Sequence, residues 1–189
     1  MSILTQKTIS KKISIEGIGV HTGLKAKLEI LPAQPNTGII FKRVDLKKNN
    51  TIIPTYNNVV DAVLCTTISN DNGAKVSTIE HLMGAFYGLG IDNAIVEINS
   101  QEVPIMDGSA KQFVELIAEA GTQTSEVPIK IIKVEQQIQI IEGEKTISLK
   151  KSNVSLDIDF EIKYKNQFIK SQRNKVSVFE DDLTNIYNS

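Results

Sequence analysis

The sequence predicts a fold that mixes β-strands and α-helices, and three patterns along the chain support this prediction. Apolar and polar residues alternate in the first third, an apolar stripe at helical spacing follows, and strand-like runs return after residue 126. A repeat of two residues is typical of strands with one face in water, whereas a repeat near 3.6 is typical of amphipathic helices. Because hydrophobic residues make up 41% and charged residues 23% of the chain, we expect an ordinary globular core.

The first third of the chain predicts three strands separated by two loops. The alternating segments are residues 11–16, 25–31 and 39–44. Three glycines within residues 17–23 mark a shaped loop, because glycine adopts backbone conformations that other residues avoid. Proline, asparagine and glycine within residues 32–38 mark the second loop. A further apolar run predicts another strand at residues 59–68.

A helix is predicted to begin near Ser77. Ser77 and Glu80 have the spacing of a capping box, in which the serine side chain caps the helix and the glutamate reaches back to the serine backbone. The apolar residues that follow fall on one helical face: Ile79, Leu82, Met83, Phe86 and Tyr87. Gly88 and Gly90 are expected to end this helix.

A buried strand at residues 94–98 is predicted to lead to a second helix. This helix is expected to begin at Ser109 and to end at Gly121. Its inward-facing residues are expected to be Phe113, Leu116 and Ile117.

A short polar segment at residues 122–126 lacks strand or helix periodicity, so we expect a domain boundary there. The prediction is a first domain over residues 1–124 and a second over residues 127–189. Strand-like runs follow at residues 129–141, 146–150 and 154–164, and a helical pattern covers residues 179–187. Because isolated domains of less than roughly 70 residues rarely bury enough core, we expect the second domain to be incomplete in this chain.

Charge and composition exclude several classes of function. Lysine and arginine number 21 against 22 aspartates and glutamates, so the chain has no basic surplus for binding nucleic acid or an anionic membrane. Its single cysteine, Cys65, cannot form an internal disulfide, and we expect a reducing compartment, the cytoplasm. No apolar run approaches the roughly 18 residues that cross a bilayer, so any membrane contact is expected to be peripheral.

Glu80 and His81 form the most suggestive pair for chemistry. A histidine ligates metals, and an adjacent carboxylate accepts a proton from metal-bound water. The alternative is structural, because the capping box already accounts for Glu80 and a histidine in a first helical turn is commonly a partly exposed polar residue. With only two histidines and one cysteine in the chain, a zinc site built from the usual nitrogen and sulfur ligands is short of partners.

Further positions allow both a functional and a structural interpretation. His21 lies between glycines, where backbone approaches a ligand closely, and its alternative is an incidental place in a hairpin turn. Asp107 and Ser109 precede the second helix, and their residue types favour a turn and a cap over catalysis. Cys65 lies in an apolar segment, which favours a small core residue over a nucleophile.

Six short motifs, taken together, resemble one enzyme family. They are Gly-Val-His-Thr-Gly at 19–23, Pro-Ala-Gln-Pro-Asn-Thr-Gly at 32–38, Leu-Cys-Thr-Thr at 64–67, Ser-Thr-Ile-Glu-His-Leu at 77–82, Gly-Leu-Gly-Ile-Asp-Asn at 88–93 and Pro-Ile-Met-Asp-Gly-Ser-Ala at 104–110. In this order they are similar to the zinc-dependent UDP-3-O-acyl-N-acetylglucosamine deacetylases of lipid A biosynthesis. The resemblance is strongest from Thr8 to Gly121 and continues more weakly to the C-terminus.

The resemblance implies an α+β fold of two similar domains, each layering a sheet against two helices, with the active site between them. It implies a hydrolase, expected to be a monomer, that removes the N-acetyl group from UDP-3-O-acyl-N-acetylglucosamine and releases acetate. Glu80 matches the family's general base, which deprotonates zinc-bound water, and His81 matches the first zinc ligand. His21, Val63 and Cys65 match substrate-binding positions, the last two along the path toward the acyl chain.

The chain departs from the family in its second domain. The family's other two zinc ligands, a histidine and an aspartate four residues apart on a helix, lie in a part of that domain that this chain does not contain. The same holds for a histidine general acid and for a threonine-bearing segment that helps to polarise the carbonyl. We therefore expect the N-terminal portion of such an enzyme, with negligible zinc affinity in the 189-residue chain.

The sequence leaves three alternatives open. The first is a non-catalytic module that uses the His21 loop to hold a nucleotide sugar. The second is an inactive remnant that folds poorly because its second sheet is incomplete. The third is a zinc enzyme whose missing ligands come from another copy of the chain, in which case only His21 and His81 are available and carboxylates have to supply the rest.

Overall fold

The structure is a computed structural model, and it describes residues 4–152 and 156–178. These residues form two compact units, which divide after residue 129. Mixed sheets and two helices among the described residues confirm the predicted α+β class. That the second domain repeats the first stays a prediction. The helix predicted at residues 179–187 lies outside the described residues.

The described part of the first unit contains ten strands, two α-helices and one turn of 3-10 helix. The strands are β1 (Thr5–Ile9), β2 (Ile13–Ile18), β3 (Lys25–Pro32), β4 (Ile39–Arg43), β5 (Thr51–Ile52), β6 (Val59–Asp61), β7 (Thr67–Ser69), β8 (Lys75–Val76), β9 (Ala94–Ile98) and β10 (Thr122–Pro128). The helices are α1 (Glu80–Gly88) and α2 (Lys111–Ala120), and the 3-10 turn covers Tyr56–Asn58.

A five-stranded sheet in the order β2-β3-β9-β4-β5 forms the main layer of the first unit. β2, β3 and β9 pair antiparallel, and β4 lies parallel to β9. Alternate residues of β2, β3 and β9 are buried, as the sequence pattern predicts: Ile13, Ile15, Leu28, Ile30, Val96 and Ile98. The intervening residues of β2 and β3 are mostly exposed, so these strands have the expected wet face.

The two helices pack against each other and share one core with the sheet. α1 buries Leu82 and Phe86, and α2 buries Phe113 and Ile117. The apolar stripe predicted for α1 is confirmed at these two positions, whereas Tyr87 at its end is 55% exposed. Each fully buried side chain of this size stabilises the fold by roughly 1.5–3 kcal/mol, so the shared core holds α1 firmly against the sheet. No helix among the described residues is long and apolar enough to span a membrane.

The predicted capping box at the start of α1 is wrong. α1 begins at Glu80, and no side-chain hydrogen bond caps it. Thr78 has a left-handed φ of 58° that separates Ser77 from the helix, and Ser77 pairs instead with Glu102 in an isolated β-bridge. The Ser77 hydroxyl donates a hydrogen bond to the carbonyl of Gln101 at 3.1 Å. Glu80 therefore does not take part in a capping box, which is the structural role that the sequence pattern predicts for it.

The strand predicted at residues 59–68 is an antiparallel hairpin of two short strands. β6 and β7 pair with each other, and β7 also pairs with β8 in a three-stranded sheet. Leu64 between them has a φ of 64°, so the chain reverses there instead of continuing extended. The side chains of Val63 and Leu64 are 73% and 88% exposed. Cys65 is half-buried beside this turn, which corrects its interpretation as a core residue of an apolar strand.

The polar segment at residues 122–126, which lacks strand or helix periodicity, lies within β10. β10 pairs antiparallel with β1, which the sequence pattern does not predict. These two strands form a separate sheet in which most side chains are exposed or half-buried, so neither strand needs the apolar alternation of a buried sheet. The division into domains at residues 1–124 and 127–189 stays a prediction.

The second unit contains two antiparallel hairpins among its described residues. Their strands are β11 (Ile138–Glu142), β12 (Lys145–Leu149), β13 (Asp157–Lys163) and β14 (Ser171–Ser177). β12 and β13 correspond to predicted strands, and β11 covers the end of the run predicted at residues 129–141, of which residues 129–137 form no strand. β14 is not predicted, because its sequence lacks the apolar pattern of a strand. Charged side chains link β14 to β13: Arg173 on β14 donates two hydrogen bonds, at 2.7 and 2.6 Å, to the carboxylate of Asp159 on β13.

Candidate active site

Glu80 and His81 occupy the first turn of α1, and both residues are half-buried. Glu80 Oε2 accepts a hydrogen bond from the backbone N–H of Thr66 at 3.0 Å. No described residue donates a hydrogen bond to Glu80 Oε1. A carboxylate at this position interacts favourably with the helix dipole. The pair therefore presents one anchored oxygen, one unengaged oxygen and an imidazole on adjacent residues.

The hydrogen bond from Thr66 brings the turn between β6 and β7 to Glu80. Cys65, the neighbour of Thr66, is a half-buried free thiol whose Sγ lies 3.8 Å from the hydroxyl oxygen of Thr67. Val63 lies on the exposed part of the same turn. Two of the predicted substrate-binding residues thus belong to the segment that contacts Glu80.

His21 lies in the loop that joins β2 to β3, and it is exposed. The loop closes on itself through hydrogen bonds from the Gly23 N–H to the Gly19 carbonyl at 2.9 Å and from the Gly19 N–H to the Leu24 carbonyl at 3.0 Å. Gly23 has a φ of 66°, a conformation that favours glycine. The loop therefore presents His21 to solvent on a backbone that is fixed at both ends.

A buried carboxylate that none of the candidate motifs includes, that of Glu102, joins the His21 loop to the start of α1. Glu102 is 0% exposed. Its Oε1 accepts hydrogen bonds from the His21 backbone N–H at 2.9 Å and from the Thr78 hydroxyl at 3.1 Å. Its Oε2 accepts hydrogen bonds from the backbone N–H and the hydroxyl of Thr22 at 2.8 and 2.6 Å. Because Thr78 precedes Glu80 by two residues, one carboxylate contacts both segments.

Hydrogen bonding keeps Glu102 ionised in the interior. Burial raises the pKa of this carboxyl group, but the donors from Thr22, from the backbone of His21 and from Thr78 outweigh burial and hold its pKa below the ordinary value of 4.5. All four donors are neutral. The charge is therefore stabilised by these hydrogen bonds, and losing one of them leaves a buried charge poorly solvated.

The close approach of Glu102 explains why position 19 is a glycine. A Cβ atom there would overlap with Oε2 of Glu102 and would lie 2.6 Å from the hydroxyl oxygen of Thr22. Side-chain carbons do not approach other atoms so closely, so position 19 accepts only glycine without rearrangement. The sequence signal for Glu102 is a lone carboxylate directly before the apolar residues 103–106. That signal indicates a buried acid but does not indicate which loop it contacts.

Asp107 and Ser109 form the turn before α2, as their residue types predict. Asp107 Oδ1 accepts hydrogen bonds from the backbone N–H and the hydroxyl of Ser109 at 3.0 and 2.9 Å. The Ser109 hydroxyl oxygen accepts a hydrogen bond from the N–H of Lys111, the first residue of α2, at 3.2 Å. The bond from the Ser109 N–H is the main reason why the pKa of Asp107 lies below its usual value. This turn needs no catalytic role to explain its residues.

The described residues do not complete a metal site. Within residues 4–152 and 156–178, no group of three or more histidine, cysteine, aspartate or glutamate side chains converges closely enough to hold an ion. A catalytic zinc site uses three protein ligands and one open position. The described residues therefore do not form a complete zinc site, although His81 beside Glu80 is suitable as one ligand.

Comparison with known protein families shows the class of protein to which the chain belongs. The family model described as LpxC, UDP-3-O-acyl N-acetylglycosamine deacetylase, matches residues 6–187. Since this match covers nearly the whole chain, the chain belongs to that family. The resemblance carried by the six sequence motifs is thereby confirmed.

Curated relatives agree with the family match. The chain is 42% identical over 167 residues to a UDP-3-O-acyl-N-acetylglucosamine deacetylase of Haemophilus ducreyi, covering 88% of this chain and 55% of the relative. It is 40% identical over 178 residues to the enzyme of that name from Histophilus somni, covering 94% of this chain and 58% of the relative. The chain thus spans about half the length of the curated relatives it matches.

Proposed function

We propose that this chain carries the part of a deacetylase active site that supplies the general base and one metal ligand. The reaction is hydrolysis of the N-acetyl group of UDP-3-O-acyl-N-acetylglucosamine, which yields acetate and a free amine. The observation that carries the proposal is the state of Glu80, which is half-buried, free of a capping role and anchored through one oxygen. The names of the relatives support this substrate.

Glu80 is proposed to act as the general base. Water that attacks the acetyl carbonyl carbon has to lose a proton, and a positioned carboxylate accepts it. The Thr66 N–H holds Oε2 of Glu80 in place, which leaves Oε1 to receive the proton. The bond from the carbonyl carbon to the sugar nitrogen then breaks, the nitrogen takes up the proton that Glu80 accepted from water, and acetate leaves. A general base of this kind contributes about 10²–10⁴-fold to the rate.

His81 is proposed to be one ligand of a zinc ion. Imidazole is among the ligands that zinc prefers, and His81 follows the proposed base directly in the first turn of α1. Since the described residues supply no complete ligand set, the other ligands have to come from outside them. What the chain's own residues provide is therefore a base and one imidazole held side by side by a well-packed helix.

His21, Val63 and Cys65 are proposed to bind the substrate. Val63 and Leu64 expose 73% and 88% of their apolar side chains on the turn that contacts the proposed base. The acyl chain is the apolar part of the substrate, and covering exposed apolar side chains with it is favourable. His21 is exposed on a fixed loop, where its imidazole suits a hydrogen bond to the polar nucleotide-sugar part.

The setting proposed for the reaction is the cytoplasm, with a monomeric protein that makes at most peripheral membrane contact. A single cysteine agrees with a reducing compartment. The near balance of 21 basic and 22 acidic residues supports no partnership with nucleic acid.

Two substitutions in the full-length protein test the proposed roles. Glu80→Ala is expected to lower kcat by about 10²–10⁴-fold with the zinc content unchanged, whereas His81→Ala is expected to lower the zinc content itself. Glu115→Ala, which removes an exposed glutamate from α2, is the matched control and should leave kcat unchanged. Near-normal turnover of Glu80→Ala would remove Glu80 from the mechanism. Saturable binding of a UDP-sugar by the unmutated protein without acetate release would favour the non-catalytic module.

A further inference from the structure

The Glu102 carboxylate connects two parts of the candidate site that are far apart in the sequence. It receives hydrogen bonds from His21 and Thr22, which lie 81 and 80 residues away along the chain, and from Thr78, which lies 24 residues away. Each carboxylate oxygen accepts one bond from a backbone N–H and one from a hydroxyl. Glu102 has no exposed surface, so it cannot touch a substrate itself.

The backbone around Glu102 is fixed to the segment that leads into α1. The Ser77 N–H donates to the Gln101 carbonyl at 2.9 Å, and the Val103 N–H donates to the Ser77 carbonyl at 3.1 Å. Thr78 then adopts a left-handed φ, which a β-branched residue rarely does, and its hydroxyl bonds to Glu102. The position of the carboxylate is therefore defined relative to the first turn of α1, where Glu80 and His81 lie.

The other side of the Glu102 carboxylate defines the position of the His21 loop. The hydrogen bonds use the backbone N–H groups of His21 and Thr22 and leave the His21 imidazole unengaged by Glu102. Gly19 packs so closely against the carboxylate that a side chain would not fit there. A shift of Glu102 would therefore move His21 relative to α1.

We propose that Glu102 is a positioning residue: it holds the His21 loop in register with the start of α1, so that the His21 imidazole, Glu80 and His81 meet one substrate. This inference rests on the proposed deacetylase function. It deepens that function, because it makes the contribution of His21 depend on a carboxylate that neither binds substrate nor ligates metal.

Glu102→Gln is the substitution that tests this role. Glutamine has the same shape, but in either orientation its NH₂ group faces a backbone N–H, that of His21 or that of Thr22. Glu102→Gln therefore loses one hydrogen bond to the His21 loop but fills the same volume as the glutamate side chain. Glu97→Gln is the matched control, because Glu97 is a half-buried glutamate on β9 whose ion pair with Lys42 lies in the sheet.

A double-mutant cycle with His21→Ala separates a positioning role of Glu102 from a purely stabilising role. The quantity measured is kcat/KM of the full-length protein on UDP-3-O-acyl-N-acetylglucosamine. Glu102→Gln alone is expected to lower kcat/KM by about 10–100-fold. In the His21→Ala background the same substitution is expected to cost less than about threefold, because the residue it positions is gone. Glu97→Gln is expected to cost less than about twofold. Equal losses in both backgrounds would overturn the proposal.

Amide hydrogen exchange tests the loop contact without any activity. In Glu102→Gln the amides of His21 and Thr22 are expected to exchange at least about tenfold faster than in the unmutated protein, and in Glu97→Gln they are expected to exchange at the original rate. Unchanged exchange in Glu102→Gln would overturn the proposal even in an active enzyme. Absence of acetate release from the unmutated protein would overturn the deacetylase function and, with it, the role for His21 in catalysis.

Thr22→Val provides a milder variant in case Glu102→Gln lowers the folded fraction. It removes one hydroxyl donor to Glu102 Oε2 and keeps the backbone bond from the same residue. The expected loss in kcat/KM is about 3–10-fold, again absent in the His21→Ala background. A loss of equal size in that background would show that Thr22 and Glu102 stabilise the fold without positioning His21.

Discussion

Gly19→Ala should destabilise the protein strongly, because the added methyl group has to displace the Glu102 carboxylate. The new Cβ would overlap with Oε2, and relief requires that oxygen to leave the N–H and the hydroxyl of Thr22. A hydrogen bond to a charged group contributes about 1.5–3 kcal/mol, so losing two lowers the free energy of unfolding by about 3–6 kcal/mol. Gly19 has no left-handed φ, so the loss reports the contact alone and not backbone strain.

Gly84→Ala is the matched control for this experiment. Gly84 lies within α1, and a Cβ atom there would meet nothing within 4 Å. Alanine at this position is expected to raise the free energy of unfolding by about 0.5–1 kcal/mol. Thermal unfolding, monitored by circular dichroism, measures the stability change of both variants. A change of 1 kcal/mol shifts Tm by roughly 2–4 °C for a chain of this size. A Gly19→Ala variant within 1 °C of the unmutated protein would show that Glu102 does not occupy the described position.

Three further results are expected from the 189-residue chain. After dialysis, elemental analysis should find far less than one zinc per chain, because no group of three ligands forms among the described residues; one tightly bound zinc would contradict this. Because the pKa of Glu102 lies below 4.5 in the folded state, its contribution to stability is present above about pH 4.5 and is lost as the pH falls through the lower folded value; equal acid-unfolding curves for Glu102→Gln would refute this. Amides of β11 and β14 should exchange faster than those of β3 and β9, whose side chains build the core; equal protection would refute this.

Sequence periodicity predicts the elements whose own residues build the core. β2, β3 and β9 bury alternate residues, and α1 buries Leu82 and Phe86 at helical spacing, so local pattern and tertiary burial agree. β1 and β10 carry no such pattern because they pair mainly with each other and keep much of their surface wet. To predict such a strand requires knowledge of its partner strand, and the sequence pattern within either segment does not contain that information.

In the candidate site, too, local sequence patterns predict some features, whereas other features depend on contacts between residues that are far apart in the sequence. Residue type and spacing single out Glu80 and His81 as candidates, but they also predict a capping box that does not form. The reason is a competing partner: Ser77 pairs with Glu102, 25 residues further along the chain, and its hydroxyl donates to Gln101. The role of Glu102 is found only in the folded chain, because its donors come from two segments, residues 21–22 and Thr78, that are adjacent only after folding.

The assay that tests the central claim most directly is acetate release from UDP-3-O-acyl-N-acetylglucosamine by the full-length protein that contains this chain. We expect one acetate and one free amine per substrate consumed, with turnover lost in Glu80→Gln, which keeps the acceptor for the Thr66 N–H but cannot take up the proton from water. Saturable binding of the substrate with no acetate formed, or full turnover in Glu80→Gln, would contradict the claim.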